Sequence, residues 1–177
     1  LALPWEVTLT SAVNAMAHAV EALYAPEGSP IAHLLASEAL RALRAGLDGA
    51  RARGDDPSAR SDLLYGAWLA GIVLGSTSMG LHHKLCHTLG GTFNLPHAEV
   101  HTVILPHAIA YNRDFAPDAM RRAAAALVAE DAARGVYDLA VRIGAPTSLA
   151  AIASAKRPSR SVRASARVRS RPSIAIG

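Results

Sequence analysis

Apolar residues recur along this chain at the three- and four-residue spacing of a helix, and no run of alternating β-branched residues reaches strand length. The pattern predicts an all-α body. A first helix is expected from about Ser11 to Tyr24, with Thr10 or Ser11 as N-cap and Pro26 just past its end. A second runs from Pro30 to about Leu47, where Ser29 caps, Pro30 takes the first turn, and Gly46 and Gly49 close. After the loop Gly54-Asp55-Asp56-Pro57, a third extends from Pro57 towards Gly80. Leu81 to Leu89 predicts a short helix ended by Gly90-Gly91, and Thr92 to Pro96 a loop. His97 to about Asn112 predicts a helix that Pro106 should kink or break. An alanine-rich amphipathic helix should start at Asp114 or Pro117 and end near Gly135, and Val136 to Ile143 gives a last one closed by Gly144-Ala145-Pro146.

The third segment has a second reading. Leu63 to Leu81 is nineteen residues without a charge, and Gly71 and Gly75 form a G-x-x-x-G pair, which read literally is a membrane span. Gly66, Gly80 and the cluster Ser76-Thr77-Ser78 dilute it, and histidines follow at once, so a central helix buried by its neighbours is expected instead, and no membrane partner. With 177 residues and 51% of them apolar, the chain can bury the core of one ordinary domain, which excludes disorder of the whole. One cysteine, Cys86, can form no internal disulfide, so a reducing compartment, the cytoplasm, is expected. The first residues, Leu1 to Glu6, carry no basic stretch leading into a long apolar run, and no signal peptide is read from them.

Charge is unevenly placed. The stretch from Lys156 to Gly177 holds seven basic residues and no acidic one; subtracting them from the 18 leaves 11 against 14 acidic side chains, a net of −3 for residues 1 to 155. From about Ala153 on, the chain is almost entirely Ser, Arg, Ala, Pro and Val without apolar period, so residues 153–177 are expected to be a disordered basic tail beside a helical domain over 1–152. A shifted reading frame in GC-rich DNA yields such a mixture, and a nucleic-acid-binding arm is the competing reading. No aromatic residue interleaves the arginines, which counts against nucleic acid as a partner.

Six of the eight histidines lie between positions 82 and 107: His82, His83, His87, His97, His101 and His107. His83 and His87 share a helix face at i, i+4, and Asn14 and His18 repeat that spacing on the first helix. The Gly90-Gly91 turn lets the chain double back to bring His97 near. Two helices could thus present His18, His83 and His97 to one point, with Asn14 offering a carboxamide oxygen and His87 beside them, an arrangement suited to zinc or iron. His33, His82, His101 and His107 read as ordinary core or surface groups. Spacing alone leaves a metal site, a catalytic site and a set of ordinary histidines all open.

The string His82-His83-Lys84-Leu85-Cys86-His87-Thr88-Leu89-Gly90-Gly91-Thr92-Phe93-Asn94-Leu95-Pro96-His97-Ala98 resembles the signature of the iron-containing alcohol dehydrogenase superfamily, most of all its maleylacetate reductase branch. Asn14-Ala15-Met16-Ala17-His18-Ala19-Val20-Glu21-Ala22-Leu23-Tyr24 and Leu105-Pro106-His107-Ala108-Ile109-Ala110-Tyr111-Asn112 fit the same pattern in the same order, and the resemblance covers about residues 3 to 152. It implies a two-domain oxidoreductase of dehydroquinate-synthase-like fold, an α/β half binding the dinucleotide and a helical half following. This chain is similar to the helical half, has no strand followed by a glycine-rich phosphate loop, and is expected to be inactive alone.

By resemblance, the metal positions are Asn14, His18, His83 and His97. Asparagine stands where the superfamily has aspartate, a departure shared by maleylacetate reductases, which removes a negative charge from the ligand set. The resemblance then implies a weak or metal-free site and reduction of 2-maleylacetate to 3-oxoadipate by NADH or NADPH. His83, His97, Lys84 and His18 are the donors available to the substrate's carboxylates and its developing negative charge. His87 is expected as the general acid, imidazole being the side chain that ordinarily titrates nearest neutrality. The expected partners are a small dicarboxylate and, in the full-length protein, a second copy. The alternatives are an iron- or zinc-dependent alcohol dehydrogenase and a non-catalytic gene fragment. A helical half without its partner domain should leave apolar surface wet.

Overall fold

The structure, a computed structural model, describes residues 3–155, and among them eight α-helices and no strand. They are α1 (Trp5–Tyr24), α2 (Pro30–Ala52), α3 (Pro57–Ser76), α4 (Leu81–Phe93), α5 (His97–Asn112), α6 (Pro117–Leu127), α7 (Ala132–Ile143) and α8 (Leu149–Ala155). The all-α expectation holds. α1 is the axis, packing against α2, α3, α4, α5 and α6. Twelve of its twenty residues are buried, so it serves the core and the site at once. It begins at Trp5, directly after Pro4, more than one turn before the expected Ser11: the Thr8 and Thr10 hydroxyls donate to the carbonyls of Pro4 and Glu6, both at 2.9 Å, as residues inside a helix do.

The expected starts at Pro30, Pro57 and His97 are where the helices begin, and the side chains of Ser29 and Asp56 accept from Ala32 N–H and Ser58 N–H. The expected ends fail at the glycines. Gly46 and Gly49 lie inside α2, because they serve contact with α3: a Cβ on Gly46 would sit 2.8 Å from Leu63 Cγ and 2.9 Å from Ala59 O, and one on Gly66 2.7 Å from Leu43 Cγ. Residues 39 and 43 meet 66, and 46 and 49 meet 59, so the two helices run antiparallel with their backbones close together. Gly90 and Gly91 are likewise inside α4, and the chain doubles back instead at Asn94, which caps α4 at φ 50°, ψ 46°, a left-handed conformation asparagine tolerates.

Pro106 breaks nothing: α5 runs through it, held between α1 and α7. The alanine-rich helix stops early, at Leu127, where Val128 takes a positive φ of 53° and Asp131 starts α7 by accepting from Arg134 N–H at 2.8 Å. α8 was not foreseen, and its last residues, 153–155, are helical where the tail was expected to begin. The rest of that expected tail, 156–177, lies outside the described residues.

The expectation of a third helix buried by its neighbours holds on one side only. Leu63, Gly66, Leu69, Ala70 and Val73 face α1 and α2, but Leu64 and Trp68 are 74% and 63% exposed, with Tyr65 and Ile72 beside them, because no described element covers that side. Among the described residues no single helix is long and apolar enough to cross a membrane; α3 and α4 reach that length only together, bent by 98°.

Candidate functional site

α4 carries three of the histidines, and a carboxylate from another helix fixes its beginning. Gly80 at its N-cap has no side chain to satisfy the first N–H groups. Glu21 of α1, fully buried, does so instead: Gly80 N–H donates to Oε2 at 2.9 Å and His82 N–H to Oε1 at 2.7 Å. The Tyr24 hydroxyl donates to Oε1 at 3.0 Å, and His83 Nδ1 lies 2.6 Å from Oε2. A negative charge at a helix N-terminus is favourable in itself. Burial works to raise the Glu21 carboxyl, but the bonds from His83, Gly80 and Tyr24 outweigh it and hold it below its ordinary value. A Cβ on Gly80 would come within 3.1 Å of Glu21 Oε1 and 3.2 Å of Tyr24, so a larger residue would have to push these side chains back.

From this anchor the imidazoles of three helices form one cluster. His18 of α1 stacks on His83 at 4.8 Å between ring centres, inclined by 20°. His83 meets His87 at 6.1 Å, and His87 stacks on His97 of α5 at 5.8 Å. His101, one turn after His97, is the hub, 4.2 Å from His97, 4.8 Å from both His83 and His82, and 6.4 Å from His87. His82, His83 and His101 are buried, and His87 and His97 exposed, so the cluster has a closed floor and an open rim.

Desolvation works against the charged form of four of these rings. Burial, aided by the neighbouring rings, pushes His18 down to about 4, His82 to about 3 and His101 to about 2, from an ordinary 6.5, and lowers His97 in the same direction. Burial first, then the charge of Glu21, pushes the Cys86 thiol up to about 12, so it stays protonated. Three buried polar atoms have no hydrogen-bond partner within the described protein: Asn14 Oδ1, His83 Nε2 and His101 Nε2.

The sequence-derived set is thus largely brought together. His18, His83, His87 and His97 share the cluster, and Asn14 sits one turn before His18 on α1. Lys84 is exposed on α4, outside the ring contacts, and His107 is exposed on α5. His33 is on α2, its ring beside Gly28. Three members were missed. His101 follows His97 at the i, i+4 spacing already used for His83 and His87, so a signal existed; His82 and Glu21 could be placed only by knowing where α4 lands on α1.

These residues do not fit a tightly held iron. The set Asn14, His18, His83 and His97 contains no carboxylate, and Glu21, the acidic side chain beside it, has both oxygens engaged by four donors at the start of α4. The ring nitrogens that do converge, within 4.8 Å of one another, belong to His82, His83 and His101 and to His87, His97 and His101, and His18 is in neither triad.

Residues 8–166 match the profile described as Fe-containing alcohol dehydrogenase family, C-terminal. The maleylacetate reductase of Burkholderia cepacia is 60% identical over 152 residues, 86% of this chain and 43% of the relative. That of Sphingobium indicum is 54% identical over 156 residues, 88% of this chain and 44% of the relative. The crystal structure of maleylacetate reductase from Rhizobium sp. strain MTP-10005 superposes with a TM-score of 0.83 at 47% identity, covering 98% of this chain and 49% of that one. The chain therefore spans less than half the length of the curated relatives it matches.

Proposed function

Because this chain belongs to the iron-containing alcohol dehydrogenase family, of which it matches the C-terminal part, we propose that it forms the helical part of a reductase acting on 2-maleylacetate. The observation that carries the reading is the imidazole cluster with a buried floor and an exposed rim, held by Glu21. Similarity to maleylacetate reductases over 86% and 88% of the chain supports the choice of substrate. The electron donor is NADH or NADPH, bound mainly by an α/β half like that of the longer relatives. The division into a helical unit over 1–152 and a basic tail over 153–177, a homodimeric full-length protein, and a cytoplasmic setting, where reduced nicotinamide is available, belong to the same proposal.

The chemistry follows from the substrate. A hydride adds to the carbon β to the ketone, the double-bond electrons move onto the conjugated oxygen, and a proton then closes the remaining carbon to give 3-oxoadipate. The developing oxyanion and two carboxylates need donors in a place poor in water. His83, with Nδ1 tied to Glu21, turns Nε2 to the cleft; His97 stands at the rim and His18 behind. His87 is the general acid, because its exposed ring can recover a proton from solvent while touching both His83 and His97. Lys84 is assigned to a substrate carboxylate reaching the outer rim. No step is routed through a metal.

The test replaces the matching segment of the Burkholderia relative with this chain and follows NADH consumption. Turnover of 2-maleylacetate that disappears in His87→Phe supports the reading. Oxidation of simple alcohols that depends on added iron or zinc, without maleylacetate reduction, would transfer the site to the metal-dependent alternative.

A further inference from the structure

We propose that His87, His97 and His101 form an exchangeable site for a zinc-class divalent ion at the rim of the histidine cluster, and that an ion held there inhibits the protein by taking His87 out of the reaction. The ligand set is read from the convergence of these three rings and shares only His97 with the positions that the resemblance implies. The inhibitory half rests on the reductase reading, because it needs His87 as the general acid.

The ring nitrogens of His87, His97 and His101 lie within 4.8 Å of one another, and among the described residues neither convergent triad includes His18. His97 and His101 stand one turn apart on α5, the i, i+4 spacing by which a helix offers two imidazoles to one ion. His87 comes from α4, its ring 5.8 Å from that of His97 and 6.4 Å from that of His101. A tetrahedral zinc with Zn–N of about 2.0–2.1 Å sets its ligand nitrogens about 3.3 Å apart. Closure therefore asks at most about 1.5 Å of movement, which His87 and His97, both exposed, supply by turning.

His101 is the fixed ligand. Its Nδ1 is bonded to His82 Nε2 at 3.0 Å, which holds the ring from behind, and its Nε2 is buried without a partner, the atom left to join the triad. The other convergent triad, His82, His83 and His101, is closed to an ion: His82 is bonded to His101, His83 Nδ1 lies 2.6 Å from Glu21 Oε2, and all three rings are buried.

Exchange follows from what stands behind the other two rings. Zinc-binding histidines ordinarily have their second nitrogen held by a carboxylate, a carbonyl or water, and losing such support costs about 10- to 100-fold in affinity. Among the described residues nothing is hydrogen-bonded to His87 or His97, and no carboxylate belongs to the triad. Three imidazoles suit zinc and its neighbours in the first row, with water in the fourth position. The nitrogen of His87 that faces the cluster then carries an ion in place of a proton, and turnover stops.

Two arms test this. The full chain, freed of metal by chelation, is titrated with Co2+, whose visible bands report tetrahedral ligation, and Zn2+ is then added to displace it. One ion per chain is expected, with affinity lowered at least about 10- to 100-fold in His87→Gln and in His101→Gln and unchanged in His18→Gln and Asn14→Ala. Binding that is absent, that ignores all four substitutions, or that follows His18 and Asn14 instead overturns the ligand set; His87 is exposed, so His87→Gln decides even where His101→Gln disturbs the fold. In the chimeric enzyme, Zn2+ should abolish reduction of 2-maleylacetate with the midpoint found by displacement, and chelator should restore it. Undiminished turnover with the site filled overturns the inhibitory role. A chimera inactive before zinc is added sinks the reductase reading instead, and the cobalt arm still decides the ligands.

Discussion

The two ends of the imidazole cluster differ in how far their polar atoms are satisfied. At the Glu21 end, two buried oxygens receive four donors, from two backbone groups, a phenol and a ring, and nothing is left over. At the other end, Asn14, His83 and His101 each hold a buried atom with no partner. The first end is complete as protein and joins α4 to α1. The second leaves polar atoms open to water or a ligand, and the proposed chemistry is placed there for that reason.

Substitutions at the two ends should therefore fail differently. The largest effect is expected from Glu21→Ala, which strands a buried ring and two N–H groups at once; a loss of about 3–5 kcal/mol in denaturant unfolding is predicted, and a loss below about 1 kcal/mol would mean that the closed end is not structural.

Acid should act next. The folded values of His18, His82 and His101 are depressed to about 4, 3 and 2 by burial, so between those values and 6.5 the unfolded chain binds protons that the folded chain does not. Their contribution is fully present above pH 6.5 and is lost as pH falls towards 4 and below; Glu21, whose value is also lowered, acts in the same direction at still lower pH. Unfolding curves at pH 7, 6 and 5 should show uptake approaching three protons, and a stability independent of pH across that range would contradict uncharged burial of the three rings. Away from the site, Gly66→Ala should cost about 1–3 kcal/mol, since its new methyl meets Leu43 in a tightly packed helix pair, without changing KM. The smallest effect is expected at exposed Lys84: Lys84→Ala should leave stability within about 0.5 kcal/mol, while a raised KM would identify it as a carboxylate contact.

How much of this was readable without coordinates depended on whether the signal was local. Helix starts were legible because Ser29-Pro30 and Asp56-Pro57 act within one turn. Helix ends at Gly46, Gly49, Gly90 and Gly91 were misread because at α2 the glycines answer to a neighbouring helix, a tertiary cause that looks like a local stop signal. His18, His83, His87 and His97 were found from spacing and resemblance together. His101 carries the same i, i+4 spacing after His97, but spacing alone does not separate a site histidine from an ordinary core one. Glu21 was hidden by its setting in an apolar stretch of α1, since its partners lie 59 to 62 residues away as well as three.

The exposed side of α3 draws a further contrast with the packed α2 face of the same helix. Leu64 and Trp68 face outwards while Leu63 and Leu69 are buried, so the isolated chain should associate as concentration rises. Sedimentation that stays monomeric and independent of concentration would remove that expectation.

The central claim is that the open end of the cluster serves an anionic substrate without a resident metal. Metal analysis of the chimeric enzyme, paired with turnover before and after exhaustive chelation, tests it most directly. Iron and zinc far below one per chain and unchanged reduction of 2-maleylacetate are expected; one tightly held iron or zinc per chain, with activity lost on its removal and restored on its return, would contradict a metal-free site.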